Sequence, residues 1–359
     1  MVTKYLPVLF LLLSACGGGG GSSDTPSLDQ DNSDNSNTDS DNTDTNNTWQ
    51  GFSGEGEDET NQGIGLAIKR SGEEIYISYN TYTRRNLFST QDGVTFHSYY
   101  TSRTSAFVCF VDELKRIYLQ GEYTDGDAFS QLEDGFPFGG FVNGDSSTLL
   151  VMDYAPKTGP LAGSTLKRSI DRGNTWTRID LDNNPETTRE ASPSEPAFNG
   201  LQTFIVPSIE SGLWVSHDSG ITWNNTLSDE GRFDVVAGNK IFPNEFVAIK
   251  PGAVYTSSDM GSTWQESIPP SDSQGEIAEW IDLELLDDGQ LVAWGVPINS
   301  ENGIGQVFKS DNFGQSWTSV GNPIGQSMGA IGNLTVPNLE ANSRFYFVNF
   351  NGNFYKLNR

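Results

Sequence analysis

Apolar residues along this 359-residue chain come in short runs and not in helical stripes. From about Asn42 to Arg359 the runs are rich in aromatic and β-branched residues and alternate with Gly, Asn, Asp and Ser, so the pattern predicts strands joined by turns. The runs are paired. The stronger members are Glu74 to Ser78, Thr148 to Met152, Glu245 to Ile249, Gln290 to Trp294 and Arg344 to Val348. The shorter ones are Asn86 to Phe88, Gly212 to Val215, Ala253 to Tyr255, Gln306 to Phe308 and Asn353 to Tyr355. Most of the shorter runs lead straight into one polar phrase, which predicts small antiparallel meanders whose last hairpin turn carries that phrase.

The phrase is Ser-x-Asp-x-Gly-x-Thr-Trp. It is complete at Ser169 to Trp176, Ser216 to Trp223 and Ser257 to Trp264, and looser at Ser310 to Trp317 and Ser89 to Phe96. A phrase returning at such intervals marks a repeat protein. Counted on the closing aromatic, the intervals are 80, 47, 41 and 53 residues, so the first is expected to hide a degenerate copy, for which Glu133 to Phe138 is the candidate. Asp44 to Trp49 supplies another, with Asn46 in place of glycine, a residue that also tolerates positive φ. The expectation is therefore seven units, closed by Trp49, Phe96, Phe138, Trp176, Trp223, Trp264 and Trp317. The chain ends at Phe354 to Arg359, on a strand that should precede a phrase, so the N-terminal copy is expected to complete the last unit and remove the exposed edges of a linear array.

These residues resemble the Asp-box, or bacterial neuraminidase repeat, of β-propellers. The resemblance covers nearly all of Asn42 to Arg359 and implies an all-β, seven-bladed propeller whose last blade is closed by the N-terminal strand. It places each box on the hairpin between third and fourth strands. By the same resemblance Asp171, Asp218 and Asp259 accept backbone hydrogen bonds, Gly173, Gly220, Gly261 and Gly314 take positive φ, and Trp176, Trp223, Trp264 and Trp317 pack into the core. Those roles are structural, at the rim and away from the funnel where propellers of this kind bind ligands. Propellers with such boxes include sialidases, xyloglucanases, sortilin-type receptors and photosystem II assembly factors, so the fold leaves function open. A sialidase-like site would need an arginine cluster, an Arg-Ile-Pro sequence and a Tyr-Glu pair; Arg116-Ile117-Tyr118 is the nearest approach and lacks the proline.

The N-terminus bears on location. Lys4, the apolar run Tyr5 to Leu13 and the small residues before Cys16 form a secretory signal too short to span a bilayer as a mature helix. Leu13-Ser14-Ala15-Cys16 resembles the lipobox of bacterial lipoproteins, which implies cleavage before Cys16 and its acylation, and Gly17 implies sorting to the outer membrane. The expected division is a signal peptide at 1–15, a lipidated cysteine with a Gly/Ser/Asp-rich tether at 16–41, and the propeller at 42–359.

Composition narrows the chemistry. The net charge is −26, and Ser22 to Thr48 contributes seven aspartates and no cation, so the folded region is itself acidic and nucleic acid is not an expected partner. Cys109, the second of two cysteines, lies in an apolar stretch, and the two histidines, His97 and His217, lie in or beside the phrase, so a disulfide framework, a histidine zinc site and a Ser-His-Asp triad are not expected. The tether lacks the glycine and final glutamate of a calcium loop. No metal, cofactor or catalytic residue is assigned, and a monomer is expected.

Binding candidates come from the loops predicted opposite the phrases. Tyr79 to Arg85, Tyr154 to Gly159 and Pro297 to Asn302 offer Tyr82, Arg84, Arg85, Tyr154 and Lys157, aromatic and basic groups on an acidic surface. The polar connection from Asp180 to Asn199, with Glu186, Glu190 and Glu195, could cover the funnel. The reading is a membrane-anchored, non-catalytic binding or scaffold module for protein or glycan, the alternative a glycoside hydrolase with paired carboxylates in the funnel.

Overall fold

The structure, a computed structural model, describes residues 49–52, 65–71, 74–80, 85–91, 97–99, 108–119, 122–124, 129–131, 141–154, 164–179, 181, 195–208, 212–272, 275–298, 305–324, 345–348 and 354–357. The signal, Cys16 and the tether lie outside these residues, as do Tyr82, Arg84, Lys157, Glu186 and Glu190.

The described residues are all-β. The first strand is β1 (Trp49–Phe52). A four-stranded antiparallel meander follows, made of β2 (Gly65–Ser71), β3 (Glu74–Asn80), β4 (Arg85–Thr90) and β5 (His97–Tyr99). The pattern repeats in β6 (Val108–Val111), β7 (Ile117–Leu119), β8 (Glu122–Thr124) and β9 (Phe129–Gln131), and in β10 (Phe141–Gly144), β11 (Leu149–Tyr154), β12 (Ser164–Ser169) and β13 (Thr177–Ile179). It repeats again in β14 (Ala197–Phe198), β15 (Phe204–Pro207), β16 (Leu213–Ser216) and β17 (Asn224–Thr226), and in β18 (Val235–Gly238), β19 (Phe246–Lys250), β20 (Ala253–Ser257) and β21 (Gln265–Ser267). The next sheet has five strands, β22 (Ser271–Asp272), β23 (Gly275–Leu285), β24 (Leu291–Pro297), β25 (Gly305–Ser310) and β26 (Thr318–Ile324). The last has three, in the order β1, β28 (Phe354–Leu357), β27 (Phe345–Val348), with Trp49 opposite Leu357 and Phe52 opposite Phe354.

The blade count corrects the sequence expectation. The fold is all-β and propeller-like, but it has five four-stranded blades, not seven; the three-stranded and five-stranded sheets depart from the blade pattern. The phrase marks one turn of a sheet and carries no information on how many strands surround it, so counting phrases does not count blades. The copy expected at Glu133 to Phe138 lies outside the described residues, in the stretch of chain between β9 and β10.

Strand composition follows position within each sheet. Second and third strands have neighbours on both sides: Phe246, Val247, Ala248 and Ile249 of β19 are all buried, and burial of such a side chain contributes about 1.5–3 kcal/mol. Fourth strands such as Asn224–Thr226 and Gln265–Ser267 are short and polar, which leaves little apolar edge for another chain to extend. First strands of successive sheets pack on one another, from β27 to β2, β6, β10, β14 and β18, and β18 packs on β23, the second strand of the five-stranded sheet. The core lies between sheets. One cluster joins Tyr118 to Val142, Leu149 and Val151; the next joins Leu150 and Leu166 to Phe198, Phe204 and Val206. Two more link Ile205 and Val215 to Phe246 and Tyr255, and Val247 and Ile249 to Trp280, Leu283 and Phe308.

Candidate functional site

An up-and-down meander sends its first-to-second and third-to-fourth turns to one face and its second-to-third turns to the other. Four phrases occupy third-to-fourth turns or, in the five-stranded sheet, the β25–β26 turn, and they close by one hydrogen-bond scheme. In the turn after β16 the Ser216 hydroxyl donates to Asp218 Oδ1 at 2.8 Å and accepts from Gly220 N at 2.9 Å. Asp218 Oδ1 accepts Thr222 N at 2.8 Å and Oδ2 accepts the Thr222 hydroxyl at 2.6 Å. Asp171 and Asp259 accept the same pair of bonds from Thr175 and Thr263. At the looser copy Asn312 stands in for the aspartate, accepting Ser316 N at 2.9 Å through Oδ1 and donating to the Ser316 hydroxyl through Nδ2. Hydrogen bonds from the threonine hold the Asp259 carboxyl below the usual range; at Asp171 and Asp218 burial is the largest single influence and opposes this, but the hydrogen bonds together outweigh it and these carboxyls are lowered likewise.

Two adjacent residues in each turn have positive φ, and only the second is glycine. Arg172, Ser219, Met260 and Phe313 lie at φ 57°, 60°, 62° and 52°, immediately before Gly173, Gly220, Gly261 and Gly314. A side chain at Gly261 would also meet the sheet behind it, with a Cβ only 2.6 Å from Ile205 Cδ1. The indoles of Trp176, Trp223 and Trp264 donate to the carbonyls of Gly173, Gly220 and Gly261, and all four tryptophans pack, half-buried, on the clusters between sheets.

Sequence reasoning missed a second set of clamps on the same face. Asn143, Asn199 and Asn239 lie at or beside the ends of first strands, and each amide reaches the next sheet: Asn143 Nδ2 to Pro196 O at 2.7 Å, Asn199 Nδ2 to Pro243 O at 2.9 Å, and Asn239 Nδ2 to Leu285 O at 2.7 Å. In the β6–β7 turn the equivalent link is ionic. Asp112, fully buried, accepts Arg116 N at 2.8 Å through Oδ1 and the Arg172 guanidinium at 2.7 and 3.0 Å through Oδ2. Arg116 donates to Arg172 O at 2.9 Å and lies 4.2 Å from the Tyr123 ring centre. The Arg116-Ile117-Tyr118 sequence therefore joins two sheets. The signal was present as Asn-Gly at 143–144 and 199–200, but its partners are 44 to 53 residues away.

The ends of β18 and β23 away from the phrases hold the described residues best suited to a ligand. Arg232, Phe233 and Asp234 lead into β18, and Glu279 and Trp280 lie within β23, the second strand of the neighbouring five-stranded sheet. Asp234 Oδ2 accepts Trp280 N at 3.0 Å, tying the two sheets together. β23 bulges on either side, between Ile277 and Glu279 and between Trp280 and Asp282, and bulges re-aim side chains. Burial raises the Asp234 carboxyl above its ordinary range, opposed by the Trp280 bond and the Arg232 charge. Glu279 is raised by burial and then by repulsion from Asp234, with Arg232 opposing. The Nε of Arg232 and the indole nitrogen of Trp280 are buried without a hydrogen-bond partner. Next to this group, Glu230 accepts the Tyr255 hydroxyl at 2.6 Å and Lys250 Nζ at 3.1 Å, with Lys250 over the Phe233 and Tyr255 rings. Two coupled carboxyls, a guanidinium and aromatic faces can hold a polyhydroxylated or peptide ligand through donors and acceptors together.

This arrangement of sheets has known counterparts. The frame is that of a β-propeller. The structure is similar to YCF48 from Cyanidioschyzon merolae, with a TM-score of 0.55 and 12% identity over 86% of this chain and 98% of that one. It is similar to virginiamycin B lyase from Staphylococcus aureus, with a TM-score of 0.57 and 11% identity over 87% and 99% of the two chains. At these identities the likeness concerns fold alone. No protein-family model matches the sequence, and no curated protein matches it.

Of the five sequence-predicted binding residues, Arg85 and Tyr154 are among the described residues. Arg85 begins β4 and Tyr154 ends β11, both next to second-to-third connections, but the β6–β9 sheet lies between their sheets. Glu195 precedes β14, and Tyr82, Arg84 and Lys157 lie outside the described residues. Neither Asp234 nor Glu279 stood out in a chain with 47 acidic residues.

Proposed function

We propose that this protein is a non-catalytic binding or scaffold module for protein or glycan, carried on the outer membrane through an acylated Cys16. The observation that carries the binding role is the Arg232–Asp234–Glu279 group, in which the bond from Trp280 N to Asp234 fixes charged and aromatic groups where β18 meets β23. The lipobox-like Leu13 to Cys16 supports the anchor. Mature chain should be titrated against immobilised sialyllactose, xyloglucan oligosaccharides and unfolded peptides. Saturable binding weakened at least tenfold by Glu279→Gln, with no new reducing ends, is the expected result. Equal binding by wild type and variant would overturn this assignment.

A second reading, glycoside hydrolysis, is favoured by the elevation of Asp234 by burial and of Glu279 by burial and the Asp234 charge, since a carboxyl kept protonated is what a general acid requires. New reducing ends from wild type, abolished by Asp234→Asn or Glu279→Gln, would establish it. Retention of Cys16-dependent membrane fractionation tests the anchor separately.

A further inference from the structure

The turn-bearing face carries an unusual set of apolar tips. Leu114, Ile170, Leu201, Ile221 and Ile241 are each 53–65% exposed, and they are five of the seven large aliphatic residues exposed to this degree among the described residues. All five sit in first-to-second or third-to-fourth turns, so they share one face across four consecutive sheets. Single apolar residues scattered over a surface need no explanation, but five gathered on the turns of one face do.

These tips are held in place from beneath. Ser219 N donates to Gln202 O at 2.8 Å, bringing the turns of Leu201 and Ile221 together within one sheet. Gly200 abuts Lys240 of the next sheet, which places Leu201 beside the turn of Ile241. Asp112 binds both Leu114 N and the Arg172 guanidinium, so the turns of Leu114 and Ile170 are joined across two sheets. The backbones that carry the tips are thus held in place, so a partner would order side chains but not turns.

The surrounding charge selects the partner. Lys115, Arg172 and Lys309 on this face already lie within 4.0 Å of Glu74, Asp112 and Asp311. Asp145, Asp171, Asp218, Asp259, Asp287 and Asp288 occupy the same turns, against Lys240 beside Ile241 and the guanidiniums of Arg116 and Arg168, which donate to the carbonyls of Arg172 and Ser219. The excess is negative, as it is over the whole chain. We infer that the turn face docks a protein surface in which apolar side chains alternate with lysine or arginine, its aliphatic groups meeting Leu201, Ile221 and Ile241 and its cations meeting the turn aspartates.

The probe is a synthetic Leu/Lys amphipathic peptide, with a Leu/Glu peptide of equal length as control, titrated against the full mature chain by fluorescence anisotropy. The expected result is saturable binding of the Leu/Lys peptide only, weakened at least tenfold by Leu201→Ser/Ile221→Ser/Ile241→Ser and unchanged by Ile298→Ser, an exposed aliphatic residue that follows β24 on the opposite face. Melting of the triple variant is expected to match wild type; should it not, Ile221→Ser and Leu114→Ser singly carry the test, each with about threefold weakening. Equal binding of the two peptides, or binding indifferent to every substitution, would overturn the inference. Concentration-dependent self-association lost in the triple variant would overturn it in favour of a second copy of this chain.

Discussion

Two regions of this propeller-like frame hold carboxyls on opposite electrostatic principles. In the repeated turns, Asp171, Asp218 and Asp259 are depressed because backbone amides and hydroxyls converge on them, as Thr222 does on Asp218. Where β18 meets β23, Asp234 and Glu279 are elevated by burial, and Glu279 further by its acidic neighbour. The first arrangement stabilises a turn with its charge in place. The second holds charge at a cost, and such cost is concentrated where proteins meet ligands. The most conspicuous residues of the sequence thus belong to turns whose aspartates are satisfied by their own near neighbours.

The contrast can be broken most sharply at Asp112. Its carboxylate is buried and paired with Arg172, so Arg172→Met leaves an uncompensated charge between sheets and should destabilise the protein by about 3 kcal/mol. Urea unfolding measures this; a loss below 1 kcal/mol would show that the turn face does not depend on the pair. Next in size is Gly261→Ala, which places a Cβ at φ 83° and against Ile205 and should cost about 2 kcal/mol.

The smallest effect sharpens the comparison through pH. A carboxyl raised in the folded state binds its proton more tightly folded than unfolded, so Asp234 and Glu279 favour folding at low pH and that contribution is lost as pH rises from the ordinary carboxylate range through their raised values. The depressed Asp171, Asp218 and Asp259 act in the opposite sense, their contribution being lost as pH falls below the ordinary range. Glu279→Gln should therefore flatten the decline in stability on the alkaline side of the carboxylate range and leave acid unfolding unchanged, as read from melting temperature against pH.

Legibility from sequence followed the distance over which each interaction acts. The turns were legible because Ser216, Asp218, Gly220 and Thr222 act within seven residues of one another. The left-handed residue before each glycine was not, since arginine, serine, methionine and phenylalanine share no chemistry that marks it. The asparagine links and the Asp112–Arg172 pair were missed for a different reason, their partners being a whole sheet away in sequence. The blade count failed because repeated turns report periodicity, while strand number depends on hydrogen-bond pairing at the ends of the array. For the candidate site, Arg232 to Asp234 reads as an ordinary entry to a strand, and only the packing of β18 on β23 gives Asp234 a neighbour in Glu279.

The pairing of β1 with β28 also has a mechanical side. Four residue pairs, from Trp49 with Leu357 to Phe52 with Phe354, lie along a single antiparallel seam, and β28 is held on its other edge by β27. Tension applied along β1 from the residues preceding Trp49 loads that seam in shear, so its rungs share the force and yield together instead of unzipping in turn. A frame whose first and last strands meet in this way resists pulling from its N-terminal side as a unit.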